Sequence, residues 1–177
     1  MFYAVISGFV AAACIPYLHR VVGERSTLVA ALLPLALTVG FATSFAQVTS
    51  GTALLSELPW IPEIGLNLAF RMDGLSLLFA LLISGIGTLV VLYTHSYLQG
   101  HVHQHRFVMY TLMFMASMLG VVLSDNILLL FIFWELTSFT SYLMIGFDHE
   151  DEASRKAALQ SLLVTGLGGL FLLAGLV

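Results

Sequence analysis

Charged side chains are scarce in this sequence. They make up 9% of its 177 residues, whereas hydrophobic residues make up 59%. A water-soluble domain carries about a quarter charged residues, because it must build a surface that faces water. The shortage of charge excludes an ordinary soluble domain and indicates a chain whose surface faces lipid. The formal net charge of -4 also argues against a basic, nucleic-acid-binding protein.

Cysteine and cofactor motifs are missing or nearly so. The single cysteine, Cys14, excludes an intrachain disulfide and a cysteine-based metal site. The alanines before Cys14 resemble a lipoprotein cleavage box, but no basic residue precedes the apolar run as a signal peptide requires. We therefore interpret Cys14 as a small buried thiol in a helix. Without a phosphate-binding loop or dinucleotide fingerprint, the sequence predicts no cofactor, no metal ligand and no enzymatic active site.

The sequence contains several long runs of apolar residues. A membrane-spanning helix needs about 20 mostly apolar residues. Six segments meet or approach that length, at 2–18, 27–48, 75–93, 107–123, 127–147 and 157–177. The sequence therefore predicts an all-α integral membrane protein with about six transmembrane helices, forming a single transmembrane domain over residues 1–177.

The few basic residues predict how these helices are oriented. If the N-terminus lies outside, five of the six basic residues fall on the inner side and only Arg71 on the outer side. The inner five are Arg20, Arg25, Arg106, Arg155 and Lys156. Short cytoplasmic loops carry an excess of lysine and arginine. The prediction is a multi-pass protein of the cell membrane with its N-terminus outside.

One segment, 57–72, is predicted to be extended rather than helical. Apolar residues alternate along it, at Ile64, Leu66, Leu68, Phe70 and Met72. A period of two is typical of a strand with one apolar face, and Pro59 and Pro62 oppose a helix just before it. We expect a short extended segment or hairpin on the extracytoplasmic surface, with Asp73 capping the helix that follows.

Glu135 is the most informative residue. It is the ninth residue of the predicted helix 127–147, which places it roughly 12 Å from the outer end of that helix. An ionised carboxylate facing lipid at such depth costs about 3 kcal/mol or more. The side chain should therefore face protein or water, as a proton-binding carboxylate. The alternative is a protonated glutamic acid that only forms a helix-packing hydrogen bond.

Hydroxyl groups follow Glu135 toward the inner side. Ser138 and Tyr142 share its helix face, and Thr137 and Ser141 extend the polar surface, whereas the outer half of the helix is almost wholly apolar. Hydroxyls and trapped waters can pass protons, so Thr137, Ser138, Ser141 and Tyr142 form the predicted proton path. The alternative is that each hydroxyl bonds back to a carbonyl of its own helix.

The inner loops carry histidines and acids. His101, His103 and His105 would share one face of an extended chain, but no acid or cysteine completes a ligand set, so we expect a solvated loop and no metal site. The acidic segment 148–152 is predicted to cap the last helix, whose positive end favours acids. A proton-collecting surface is the alternative for this acidic segment.

Several stretches of the sequence resemble one family of membrane proteins. They are 71–80, 123–126, 133–138, 141–147 and 163–169. They resemble the antiporter-like subunits, namely the large A-type subunit of Mrp-type multisubunit Na+/H+ antiporters and chain 5 (the L-type subunit) of respiratory complex I. The Trp-Glu-Leu-Thr-Ser form at 134–138 and the run 163–169 are more similar to the Mrp antiporter subunit.

The resemblance implies a fold, a function and partners. It implies the N-terminal portion of an antiporter-like subunit fold, with Glu135 as an essential proton-handling acid that works with a lysine on a later, broken helix. Because the family has further helices in two inverted repeats, we expect this chain to be a fragment, a truncated reading frame or a split gene.

The implied function is cation/proton antiport, and the implied partners are the lipid bilayer, other Mrp-type subunits, protons and Na+. The residues do not select among Na+, K+ and Li+. The alternatives are a proton-pumping subunit of an NADH:quinone oxidoreductase and a truncated, non-transporting scaffold.

Overall fold

The computed structural model describes residues 1–51, 53–61, 63, 65–101 and 103–176. The described residues form seven α-helices, one 3-10 turn and one two-stranded sheet. The helices are α1 Phe2–Val22, α2 Ser26–Thr43, α3 Phe45–Thr49, α4 Gly74–Tyr97, α5 Gln104–Leu123, α6 Ile127–Ile145 and α7 Glu152–Leu176. The 3-10 turn is Gly23–Arg25, and the strands are β1 Leu54–Ile61 and β2 Leu66–Met72.

Five helical stretches in the described residues are long and apolar enough to cross a membrane. They are Phe2–Thr49, Gly74–Tyr97, Gln104–Leu123, Ile127–Ile145 and Glu152–Gly175. The first stretch has 48 residues, more than twice the roughly 20 that one crossing needs. It contains α1 and α2, which fold back on each other at the Gly23 turn and pack together. The described part of the chain thus contains six helices of membrane length, α1, α2 and α4–α7, and the predicted helical membrane fold is confirmed.

The helix ends differ from the predicted limits for local reasons. α1 continues past residue 18 to Val22, because Gly23 is the first residue with a positive φ, 63°. The predicted span 27–48 is broken at Ser44, whose N–H bonds back three residues to the Phe41 carbonyl. α7 begins at Glu152, five residues before the predicted start, because the Asp151 carboxylate accepts from the N–H of Ser154. Val177, included in the last predicted span, lies outside the described residues.

The segment that was predicted to be extended is a hairpin. β1 and β2 pair antiparallel, with Leu54 opposite Met72 and Leu58 opposite Leu68. Leu66, Phe70 and Met72 of β2 are buried against the helices. This two-stranded sheet confirms the predicted β-like element, although its first strand begins before residue 57. Pro62 and Ile64, on which the prediction partly depended, lie outside the described residues.

Asp73 ends the hairpin and caps α4. Its carboxylate accepts from the N–H groups of Leu75 and Ser76 at 3.1 and 3.0 Å, and the Ser76 hydroxyl accepts from the Asp73 N–H at 2.7 Å. This reciprocal pattern is a capping box. The hydrogen bond from the Ser76 N–H, followed by that from the Ser76 hydroxyl, lowers the pKa of Asp73 below its usual 3.8.

Replacing Asp73 with Ala is expected to destabilise the protein by about 1 kcal/mol near neutral pH, because an N-cap is lost. A lowered carboxyl pKa contributes stability above its unfolded value, and that contribution is lost as the pH falls through the folded value. The difference between the protein and Asp73→Ala should therefore shrink in acid. Thermal unfolding of the detergent-solubilised protein measures this difference in stability. Asp73→Asn keeps a hydrogen-bond acceptor and should lose less stability than Asp73→Ala. An unchanged melting temperature for Asp73→Ala would contradict this role of the cap.

The hairpin contacts several helices at one end of the bundle. The Asp125 N–H donates to the Ala69 carbonyl at 2.8 Å, and the Asn126 side-chain amide donates to the Gly65 carbonyl at 2.8 Å. The rings of Phe2 and Phe70 lie 6.3 Å apart. The chain's first residues, the hairpin and the turn between α5 and α6 therefore share one end.

At the opposite end of the helix bundle, the loops that carry most of the basic residues contact one another. The rings of His19 and His105 stack at 4.8 Å, and His19 is hydrogen-bonded to Ser26. The rings of His103 and His149 lie 5.4 Å apart, and the Arg155 guanidinium donates to the His149 carbonyl. Five basic residues lie at this end, because each is one of these residues or directly next to one in the sequence. They are Arg20, Arg25, Arg106, Arg155 and Lys156.

α5 is the central helix. It packs against α1, α4 and α6, and its Leu112, Leu119 and Leu123 are fully buried. Cys14, by contrast, is exposed on the outer surface of α1. The interpretation of Cys14 as a buried thiol is wrong, because a membrane helix has apolar residues on its lipid-facing side as well as on its packed side.

Candidate functional site

The carboxyl group of Glu135 lies between α6 and α7. Glu135 is the ninth of the 19 residues of α6, and its side chain points at Gly169 of α7. A Cβ atom placed on Gly169 would collide with Oε1 and would stand 2.8 Å from Cδ. The carboxyl therefore fills the space that a side chain at position 169 would need.

One oxygen of this carboxyl is buried without a partner. Oε1 of Glu135 makes no hydrogen bond with the described residues. Most buried polar atoms in proteins are hydrogen-bonded, and an unpaired buried carboxylate is costly. A proton on the carboxyl, or a donor that approaches it, removes that cost.

Three of the predicted path residues come together in one cavity. Thr137, Ser138 and Ser141 line a cavity of about 400 Å³ between α5, α6 and α7. The remaining lining residues are Phe114, Met118, Trp134, Thr165 and Gly168. Trp134 and Gly168 directly precede Glu135 and Gly169 in the sequence, but Glu135 and Gly169 themselves are not among the lining residues. Tyr142 is not among the lining residues, and its ring lies 6.4 Å from that of Phe139.

The hydroxyl protons beside the cavity are turned toward the helix itself. The hydroxyl of Thr137 donates to the Trp134 carbonyl at 2.7 Å, and that of Ser138 donates to the same oxygen at 3.4 Å. This back-bonding is the alternative that the sequence left open. The hydroxyl oxygens keep free lone pairs, so they can accept hydrogen bonds from water in the cavity.

Two residues of the site, Gly169 and Thr165, were missed by sequence reasoning. Both lie on α7, and the hydroxyl of Thr165 donates to the Ser161 carbonyl at 2.8 Å. The glycine-rich run 163–169 signals close helix packing. It does not show which glycine meets α6, because that depends on how α7 is rotated about its axis.

The three loop histidines do not share one face in the structure. His105 lies on α5, where its ring stacks on that of His19 rather than on His103. The rings of His101 and His103 lie 6.0 Å apart. Among the described residues, no group of three or more His, Cys, Asp or Glu is placed to hold a metal ion.

The acidic segment 148–152 caps α7. The backbone N–H of Ser154, then its hydroxyl, donate to the Asp151 carboxylate and lower the pKa of Asp151. Glu152 and Lys156 form an exposed ion pair at 2.7 Å with i,i+4 spacing. Exposed pairs of this kind contribute little stability, so the structural role seen for this segment is the cap formed by Asp151.

Two family models match the chain. One describes the N-terminus of chain 5 of NADH-ubiquinone oxidoreductase (complex I) and matches residues 60–108. The other describes the transmembrane part of NADH:quinone oxidoreductase and Mrp antiporter subunits and matches residues 124–177. The second match contains Glu135 and the cavity residues of α6 and α7.

Known proteins agree with these matches. The chain is 48% identical over 145 residues to the A1 subunit of a Na(+)/H(+) antiporter of Staphylococcus haemolyticus, and 47% identical to that of Staphylococcus aureus. Each alignment covers 82% of this chain and 18% of the relative, so the chain spans about a fifth of the length of these curated relatives.

Solved structures share the fold. The Mrp complex from a Dietzia species matches with a TM-score of 0.85 and 29% identity, over 98% of this chain and 18% of that chain. An archaeal membrane-bound sulfane sulfur reductase has the same fold, with a TM-score of 0.82 and 22% identity over 98% of this chain and 35% of that chain. Together with the six helices and the matched models, these findings confirm the resemblance read from the sequence: the chain is a multi-pass membrane protein that belongs to the antiporter-like subunit family of Mrp antiporters and NADH:quinone oxidoreductases.

Proposed function

We propose that this chain is part of a proton-translocating subunit of an Mrp-type Na+/H+ antiporter, in which Glu135 binds the transported proton. The observation that carries the proposal is the buried, unpartnered Oε1 of Glu135, set between two membrane-length helices. The similarity to the A1 subunits of Na(+)/H(+) antiporters supports it. The test is cation-dependent proton exchange in everted membrane vesicles, with Glu135→Gln as the decisive variant.

The chemistry follows from the cost of charge at this depth. A neutral carboxylic acid is far cheaper to bury than an unpaired carboxylate. Proton binding therefore stabilises the Glu135 position observed here, and ionisation favours the approach of a positive partner or water. A group that alternates between these two conditions can couple proton movement to the movement of another cation.

The proton path runs through the cavity beside α6. Water held there can accept from and donate to its neighbours, while the oxygens of Thr137, Ser138 and Ser141 accept hydrogen bonds from it. Tyr142 lies one turn beyond Ser138, toward the end that carries most of the basic residues, and extends the path in that direction. The mostly apolar residues before Trp134 close the path on the hairpin side.

The orientation with the N-terminus outside the cell is part of the proposal. The five basic residues gathered at one end of the structure favour placing that end in the cytoplasm. Accessible cysteines test this in a Cys14→Ser background. A membrane-impermeant maleimide should label Glu57→Cys, in β1, severalfold faster in intact cells than Glu150→Cys, and everted vesicles should reverse the order. Equal labelling of both cysteines, or the opposite order, would contradict the orientation.

The proposed partners are lipid, Na+ and the other subunits of an Mrp-type complex. α7 carries an exposed apolar face that includes Val164 and Phe171, 65% and 78% exposed. In a membrane, lipid or a neighbouring protein segment covers such a face. The relatives that this chain matches are named as antiporter subunits, which favours a multisubunit assembly.

A second candidate is a proton-pumping subunit of an NADH:quinone oxidoreductase. The match of residues 60–108 to the N-terminus of complex I chain 5 favours it. The two functions separate in one assay, because an antiporter exchanges protons when Na+ is added without NADH. Proton pumping that requires NADH and ignores Na+ would support the second candidate and overturn the first.

A further inference from the structure

We infer that Gly169 is a positioning residue for the Glu135 carboxyl, an inference that rests on the proposed proton-binding role of Glu135. The missing side chain at position 169 provides the space between α6 and α7 in which the carboxyl lies. Any larger residue at this position would move the carboxyl and so change how it exchanges protons.

The contacts at Gly169 are with Glu135. The three nearest atoms to a Cβ built on Gly169 are Oε1, Cδ and Oε2 of Glu135, the last two at 2.8 and 3.4 Å. Gly169 is buried, while its neighbours Gly168 and Leu170 are exposed. The buried face of α7 at this level therefore meets the carboxyl.

The other described glycines of α7 differ. A Cβ on Gly166, Gly168 or Gly175 would meet no atom within 4 Å. Their small size is not required by any contact among the described residues. Among the described residues, the four glycines of this helix differ in that only Gly169 has a contact that requires glycine, and that contact is with the Glu135 carboxyl.

Glycines elsewhere in the bundle serve helix packing instead. A Cβ on Gly8 would stand 2.7 Å from the Cβ of Ala116, and one on Gly120 would overlap the Phe133 ring. Those contacts involve parts of the core that cannot easily move. The carboxyl of Glu135 is the end of a flexible side chain, which can rotate away at little cost to the fold. A methyl group at position 169 should therefore disturb the site more than it disturbs stability.

The backbone of α7 also explains why the carboxyl remains unpaired. At position 169 the helix backbone N–H is engaged within α7, so it is not available as a donor to Oε1. A glycine there presents only its Cα hydrogens, which form weak contacts with oxygen. The site thus holds the carboxyl in place without a strong donor, and Oε1 stays available for a proton.

The test compares Gly169→Ala with Gly166→Ala in the protein as its host cell produces it, assayed as everted membrane vesicles. We expect Gly169→Ala to lower Na+-dependent proton exchange by roughly ten- to a hundredfold, or to shift its pH profile, because small displacements of a reacting group have effects of this size. Gly166→Ala should stay close to the unmodified protein. Both variants should accumulate in membranes and melt at similar temperatures.

A second readout does not depend on transport. A hydrophobic carbodiimide modifies protonated carboxyls in apolar surroundings, and mass spectrometry measures its attachment at position 135 at several pH values. Gly169→Ala should change the rate or pH dependence of labelling severalfold, whereas Gly166→Ala should not. Equal labelling in the two variants would overturn the inference.

A shorter acid at position 135 shows whether Gly169 positions the carboxyl or only allows the helices to pack. Glu135→Asp withdraws the carboxyl by about 1.5 Å, one carbon–carbon bond. In that background, adding Gly169→Ala should change labelling much less than it does beside Glu135, since the overlapping atoms are gone. An equally large change in both backgrounds would assign Gly169 to helix packing and would overturn the inference.

Failure of this inference and failure of the proposed function give different results. If Glu135→Gln keeps full exchange, the proposed function fails, whatever Gly169→Ala does. If Glu135→Gln is inactive while Gly169→Ala behaves like Gly166→Ala in exchange and labelling, only the positioning role fails.

Discussion

Replacing Glu135 with Gln is expected to lower Na+-dependent proton exchange by roughly 10²-fold or more, the scale on which positioned acids and bases act. Gln nearly preserves the shape of the side chain and keeps a polar group between α6 and α7, so the fold should be retained. It cannot release a proton, so the site can no longer change its charge. Dequenching of a pH-sensitive dye in everted vesicles after addition of Na+ measures the exchange.

A control at another acid distinguishes the role of the Glu135 site from the general effect of removing one negative charge. Glu152→Gln removes a carboxylate of the exposed ion pair with Lys156 at the start of α7, and it should leave exchange close to that of the unmodified protein. Glu135→Asp should lie between these extremes, because the acid remains but is withdrawn from Gly169. Full exchange by Glu135→Gln, in membranes that contain the protein at normal levels, would refute the proton-binding role.

Gly120→Ala is expected to give the largest loss of stability among single-methyl changes, about 1–3 kcal/mol, because an added methyl overpacks a well-packed core. A Cβ on Gly120 of α5 would overlap the Phe133 ring of α6, which is 7% exposed and lies 6.2 Å from the Phe70 ring. The ring is held by the hairpin and the helices, so α6 itself must shift. Thermal unfolding of the detergent-solubilised protein measures this effect.

The control and the rescue of Gly120→Ala follow from the same contact. Gly85→Ala in α4 places its methyl where no atom lies within 4 Å, and it should melt near the unmodified protein. Phe133→Leu combined with Gly120→Ala should recover part of the loss, since the ring that collides is replaced by a smaller side chain. A melting temperature of Gly120→Ala equal to that of Gly85→Ala would show that the two helices are not packed as described.

Composition and spacing predicted the class of fold and its helices. Apolar runs of about 20 residues placed six helices, and alternation at Leu66, Phe70 and Met72 placed the strand that the structure shows as β2. The limits of the helices were less predictable, because they depend on single hydrogen bonds. Asp151 moves the start of α7, and Ser44 breaks a run that contains no charge.

The sequence placed Glu135 within a membrane-length helix, but it did not show what surrounds the side chain. The predicted roles of Glu135 and of the hydroxyl path remain predictions. The structure adds that Thr137, Ser138 and Ser141 line one cavity while Tyr142 is not among its lining residues. It also adds that the hydroxyls of Thr137 and Ser138 donate to the Trp134 carbonyl.

The sequence by itself determined that the chain is a membrane protein and in what order its helices follow one another. It also determined which loops carry the basic residues and that an acid lies within a membrane-length helix. Only the tertiary structure decided which face of each helix is packed. In a membrane, lipid-facing and packed residues are both apolar, so hydrophobic periodicity does not distinguish them. For that reason the exposure of Cys14 and the contact between Glu135 and Gly169 could be read only from the packed helices.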